Sequence, residues 1–164
     1  MITDGLIKKF TDWLERQTSY PDLSAMTKLK QLGMLRSSSF NTFDIDGVIY
    51  INKDVGGVYP GPNDVIITGR SVEEAPETYK MLEARGIFNT VFFQDVKYED
   101  KTRQSSGAHK ATIINMFREN GFNLGVHFED DEIQAIIIRA RCPGHTVVLL
   151  EHSLTNKENQ RHIE

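Results

Sequence analysis

Cysteine is nearly absent: Cys142 is the single one among 164 residues. That excludes an intramolecular disulfide and a multi-cysteine zinc site, and it agrees with a reducing compartment. Long apolar runs are missing too. The longest, such as Ala135–Ile138 and Thr146–Leu150, are far too short to cross a bilayer, so no membrane partner is expected. Met1–Gln17 carries charges inside its apolar stretch, which is not the pattern of a signal peptide, and the expected location is the cytoplasm. Charge of one sign is also lacking, with 19 basic against 23 acidic residues and a formal charge of −4. Net charge therefore announces no polyanion partner, although a local basic patch could bind one. There is no internal repeat and no extended low-complexity tract.

The composition that remains is that of one folded domain, 39% hydrophobic and 26% charged. Residues 1–39 read as a helical extension packing on the core, and residues 40–164 as the main α/β domain. Leu6, Phe10, Trp13 and Leu14 recur at helical spacing, as do Leu23, Met26, Leu29 and Leu32. A serine run, Ser37–Ser39, marks the joint. From Phe40 onward strand and helix signals alternate. Strands are expected up to Asp44 and at Val65–Thr68, Thr90–Gln94, Val126–Glu129 and Thr146–Leu150. A hairpin is expected around the Asn52–Gly57 turn. Helices are expected over 72–85, capped by Ser71 and closed by Gly86, and over 108–119 and 132–141, with 95–107 as a loop. The class is α/β: a Rossmann-like three-layer sandwich with a central parallel sheet, whose ligands sit beyond the carboxyl ends of the strands.

Four local features carry chemistry. Asp44-Ile45-Asp46-Gly47-Val48 follows the first strand. Strand periodicity points both aspartates alike, and Gly47 allows a sharp turn. Two carboxylates about 4 Å apart repel by roughly 4 kcal/mol at an effective dielectric near 20, and a hard divalent cation would offset that. A polar turn after a strand uses the same residues. Thr68-Gly69-Arg70 ends another strand before a helix. A hydroxyl and free backbone N–H groups there make a phosphate cradle, or simply a turn. Lys110 sits near an expected helix start, where a cation opposes the helix dipole and so serves something else. Lys97 and Lys101 compete with it. Last, Glu129-Asp130-Asp131-Glu132 follows an apolar strand. Asp131 can cap the next helix, but four carboxylates exceed what a cap needs and suggest metal binding.

Taken in order, these features resemble the four motifs of the haloacid dehalogenase-like hydrolase superfamily, over residues from about Phe40 to Leu150. The first motif is fairly specific; Thr68 and Lys110 match as single residues through order and placement. The resemblance implies a Mg²⁺-dependent phosphatase working through an aspartyl-phosphate. Asp44 would be the nucleophile and Asp46 the general acid and base. Thr68, Gly69, Arg70 and Lys110 would bind the phosphoryl group. The Asp44 carboxylate, the Asp46 backbone carbonyl and Asp130 would hold the metal, with Asp131 either a further ligand or a cap. Val48 departs from the threonine of many members.

Many members carry a large cap domain, and the spans from Asp46 to Thr68 and from Thr68 to Lys110 are too short for one. An open site suits a bulky phosphorylated substrate, such as a nucleotide, a nucleic-acid end or a phosphoprotein, or a site covered by a neighbouring subunit. Lys101, Arg103 and His109 are candidates to meet a polyanion. A non-catalytic metal- or phosphate-binding module and a phosphotransferase are the rival readings.

Overall fold

β-branched and aromatic side chains supply five strands, β1 (Phe40–Phe43), β2 (Val65–Ser71), β3 (Val91–Gln94), β4 (Leu124–Glu129) and β5 (Val147–Leu149). In the computed structural model, which describes residues 38–151 together with Lys8 and Asp12, they pair in parallel in the order β3-β2-β1-β4-β5. Three α-helices accompany them among the described residues: α1 (Ala75–Glu83), α2 (Arg103–Glu119) and α3 (Glu132–Arg141). The helical extension expected over 1–39 lies otherwise outside the described residues. Lys8 and Asp12 are helical and form an exposed ion pair four residues apart at 2.9 Å.

Alternation along the strands divides the core in two. Phe40, Val65, Ile67 and Phe92 turn to α2 and α3, meeting Ile113, Ile114, Phe117, Ala135 and Ile138. Phe43, Ile66, Val91 and Phe93 turn the other way, onto Tyr79 and Leu82 of α1 and onto Ile45, Val48, Ile49 and Tyr50. Both faces of the sheet are covered, as an all-parallel sheet requires. The fold is a Rossmann-like α/β arrangement. No helix among the described residues is long and apolar enough to cross a membrane.

Three local expectations are corrected. The segment after β1 does reverse around Asn52–Gly57, with an isolated antiparallel bridge between Tyr50 and Gly56, but its two arms are not regular strands. Ile45 O instead accepts from the N–H groups of Val48, Ile49 and Tyr50, winding one tight turn. Four apolar residues, Ile45, Val48, Ile49 and Tyr50, are thereby buried together, which strand alternation would not achieve. The chain then reverses through Gly57 N–H to Ile49 O at 2.7 Å and Val58 N–H to Val48 O at 2.8 Å. Arg85 of the α1–β3 connection pins this reversal, stacking over the Tyr50 ring at 4.5 Å and donating to Tyr59 Oη at 2.7 Å.

Second, Gly69 does not end β2, which runs on to Ser71 because Gln94 Nε2 donates to Gly69 O at 3.0 Å and Ser71 pairs with Gln94. Third, α2 begins at Arg103. Thr102 and Ser105 exchange side-chain and backbone hydrogen bonds at its start. The polar first turn hid this from any apolar periodicity. Lys110 is therefore interior to the helix, and the dipole argument for it does not hold. The α1 entry follows expectation: Ser71 caps a 3-10 turn over 72–74, with Glu74 closing the reciprocal box.

Candidate metal and phosphate site

The chain steps outward from β1 to β2 and β3, then crosses back to β4 on the other side of β1. Ligands of such sheets bind where the direction reverses, beyond the carboxyl ends of the strands. Here that crevice lies between β1 and β4, and it receives Asp44 from one and Glu129-Asp130 from the other. Asp44 N–H donates to Phe128 O at 3.1 Å, which ties the two ends together.

One oxygen from each of Asp44, Glu129 and Asp130 lies within 4.8 Å of the others, and all three residues are buried. Lys110 reaches this group from α2, its Nζ 3.1 Å from Asp44 Oδ1 and 2.7 Å from Glu129 Oε1. Its side chain is 1% exposed. Burial opposes the Lys110 charge, but Asp44 and Glu129 outweigh it and raise its pKa. For Glu129, burial is likewise outweighed, here by Lys110 and His127, and the carboxyl is held below its usual range. Asp44 goes the other way: burial, then Glu129, raise its pKa well above the ordinary value, and Lys110 offsets only part. The asymmetry follows the contacts, because the ammonium sits closer to Glu129.

A hard divalent cation fits this donor set, which is all oxygen and richer in negative charge than one ammonium neutralises. This buried Asp44–Glu129–Asp130 group could hold a metal ion. Gly47 belongs to the same cradle. At φ +83° it occupies the left-handed region, and a Cβ there would fall 1.9 Å from Asp130 Oδ2. Gly47→Ala is expected to lower stability by at least about 2 kcal/mol, from left-handed strain plus displacement of Asp130. Urea denaturation checks this; a change below about 0.5 kcal/mol would mean that Asp130 is not seated against this turn.

The remaining expected residues divide. Thr68 is fully buried in the middle of β2, where its Oγ1 accepts from Arg70 N–H at 3.0 Å. Arg70 grips the Asp46 carboxylate in two places, Nε to Oδ2 at 2.9 Å and Nη2 to Oδ1 at 2.7 Å, and Nη1 donates to Thr78 Oγ1 at 3.1 Å. Burial disfavours the Arg70 charge, but Asp46 outweighs it and raises the pKa. Asp131 stands as the cap. It accepts from Ile133 N–H at 2.9 Å, from Gln134 and from both faces of the Arg103 fork, and it is not in the carboxylate group.

The basic residues expected to meet a polyanion are engaged elsewhere. Lys101 pairs with Glu74 at 2.7 Å, Arg103 with Asp131 at 2.6 Å, and His109 Nε2 with Phe92 O at 3.2 Å. Burial pushes His109 down to about 4, so it is neutral at pH 7. Lys97 is exposed.

Two members of the site were not singled out from the sequence. Within the acidic motif Glu129 carries only the shared expectation of metal binding and no role of its own, and His127 carries none. Both are 0% exposed, two residues apart on one face of β4. A polar pair at alternating positions of an apolar strand was the available signal. His127 Nε2 lies 3.1 Å from Glu129 Oε1, and Nδ1 lies 2.8 Å from Thr42 Oγ1. Burial lowers the His127 pKa, keeping it neutral. No protein-family model matches the chain, and no curated protein matches its sequence.

Proposed function

We propose that this chain is a Mg²⁺-dependent phosphatase of the haloacid dehalogenase type, hydrolysing a phosphomonoester through an aspartyl-phosphate. The observation that carries the reading is the Lys110 ammonium bridging Asp44 and Glu129 beside Asp130, at the crevice between β1 and β4. A phosphoryl group at that crevice meets a carboxylate to attack it and a buried cation to hold its oxygens.

Mg²⁺, held by the Asp44 carboxylate, the Asp46 backbone carbonyl and Asp130, would supply neutralising charge for the attacking carboxylate and the phosphoryl oxygens. Asp44 attacks phosphorus, the bond to the leaving oxygen breaks, and Asp46 passes to that oxygen a proton that it has taken up from the incoming phosphate monoanion. Water activated by Asp46 then cleaves the acyl phosphate. Both Asp46 oxygens are held by Arg70, so this role requires the guanidinium to let go. An incoming phosphoryl group is a bidentate partner of the same kind for Arg70, and Thr68 stands beside it.

Among the described residues no domain is inserted between Asp46 and Thr68 or between Thr68 and Lys110. A bulky phosphomonoester, such as a nucleotide or a polynucleotide end, is the substrate class we favour. The test is release of phosphate from p-nitrophenyl phosphate and from 3′- or 5′-phosphorylated oligonucleotides, with Mg²⁺ and with EDTA. Mg²⁺-dependent turnover of both is expected. Cleavage of the small ester alone removes the nucleic-acid assignment, and turnover of neither leaves a non-catalytic binding module.

A further inference from the structure

The carboxylate group contains a member whose bonding is already complete. A carboxylate has two oxygens and about four lone-pair positions. Glu129 Oε1 faces Lys110 Nζ at 2.7 Å and His127 Nε2 at 3.1 Å. Its Oε2 accepts from the backbone N–H groups of Asp130 at 3.2 Å and Asp131 at 3.3 Å. Four donors therefore occupy four positions, and a metal bond to Glu129 would have to expel one of them. Expelling Lys110 or His127 would leave a donor group stranded in a dry interior, which is strongly unfavourable.

The support behind Glu129 extends further into the sheet. Thr42 and His127 are paired across β1 and β4, so their side chains meet directly. Ionised Glu129 is acceptor-only, and the proton of neutral His127 therefore sits on Nε2. Nδ1 is then bare, and the Thr42 hydroxyl donates to it. Two buried polar side chains in the middle of a parallel sheet thus serve to fix the rotamer of a third.

We infer that Glu129 is a positioning residue and not a metal ligand: a Thr42–His127 relay locks it so that one oxygen fixes Lys110 on Asp44 and the other fixes the backbone from which Asp130 projects. This rests on the reading of a cation between Asp44 and Asp130. It assigns the ligand carboxylates to those two residues alone.

Two measurements on the full chain test it. In metal-free protein, ¹⁵N imidazole spectra are expected to show His127 as the Nε2–H tautomer; the Nδ1–H tautomer would overturn the relay. A crystal structure with Mn²⁺ is expected to show Asp44 and Asp130 oxygens bound to the ion while Glu129 stays on Lys110. A Glu129 oxygen in the Mn²⁺ sphere overturns the inference and leaves the phosphatase reading standing. Failure to bind Mn²⁺ at all overturns both. In solution, Glu129→Gln should lower kcat about 10- to 100-fold with a smaller change in Mn²⁺ affinity. A metal affinity that falls more than kcat does would again make Glu129 a ligand.

Discussion

Asp44→Asn is expected to lose phosphatase turnover by about 10⁴-fold or more while melting at a higher temperature than the parent in EDTA. The two effects share a cause. Asparagine keeps the shape of aspartate and can accept at Oδ1, but its amide cannot form an acyl phosphate. The carboxylate that does the chemistry is held at a cost, because burial, Glu129 and Asp130 all disfavour its charge. Its pKa is thus raised on folding, so the native state loses stability relative to the unfolded chain once pH exceeds the ordinary aspartate value, because the unfolded chain releases a proton that folded Asp44 retains. Below that value Asp44 is neutral in both states, and the two proteins should melt alike. The advantage of the variant should appear above the ordinary aspartate value, grow until the pH reaches the raised pKa, and then level off. Mg²⁺ should reverse the order, because the parent binds it more tightly. Melts from pH 4 to 8 with EDTA or Mg²⁺ supply the check. Unchanged turnover would remove Asp44 as nucleophile, and a lower-melting variant would make its ion pair with Lys110 a net stabiliser.

The strands were legible because each joins apolar residues to a breaker. β1, β3, β4 and β5 lie within about two residues of where the pattern puts them, β2 runs on past Thr68 to Ser71, and α3 agrees at both ends. The misses have particular causes. The start of α2 is made by Thr102 and Ser105 bonding to each other, which is side-chain chemistry and leaves no mark on hydrophobic periodicity. The turn after β1 buries consecutive apolar residues and so mimics a strand. Within the site, the order of Asp44, Thr68, Lys110 and Asp130 along the chain could be read as a motif series. The meeting of Asp44, Lys110 and Asp130 is legible only through the family resemblance, since it depends on β4 returning beside β1. Pairing was the least legible layer. Nothing local in the sequence joins Asp46 to Arg70, or Arg103 to Asp131, across the 24 and 28 positions that separate them. Those partners are set by which strand ends and helix starts share one edge of the sheet.

Lys110→Met should destabilise the metal-free protein by about 3–5 kcal/mol, the scale for removing one partner from a buried ionic group. Methionine fills much the same volume, so packing contributes little to the loss. What is lost is the cation 2.7 Å from Glu129 and 3.1 Å from Asp44, in a place where solvent supplies no screening. Glu129 and Asp44 are then left facing each other and Asp130 with no buried positive charge between them. Two further measurements separate this electrostatic account from a packing defect. Adding Glu129→Gln to Lys110→Met should recover part of the stability, because it removes the carboxylate that depended most on the ammonium. Millimolar Mg²⁺ should stabilise the single variant more than the parent, because a divalent cation entering that site meets less repulsion. Saturation at 100 times the dissociation constant is worth about 2.7 kcal/mol, enough to restore most of the deficit. A loss below about 1 kcal/mol, or one untouched by both Mg²⁺ and the second substitution, would mean that Lys110 does not neutralise this acidic group. The proposed catalytic role for the lysine would then lose its electrostatic basis.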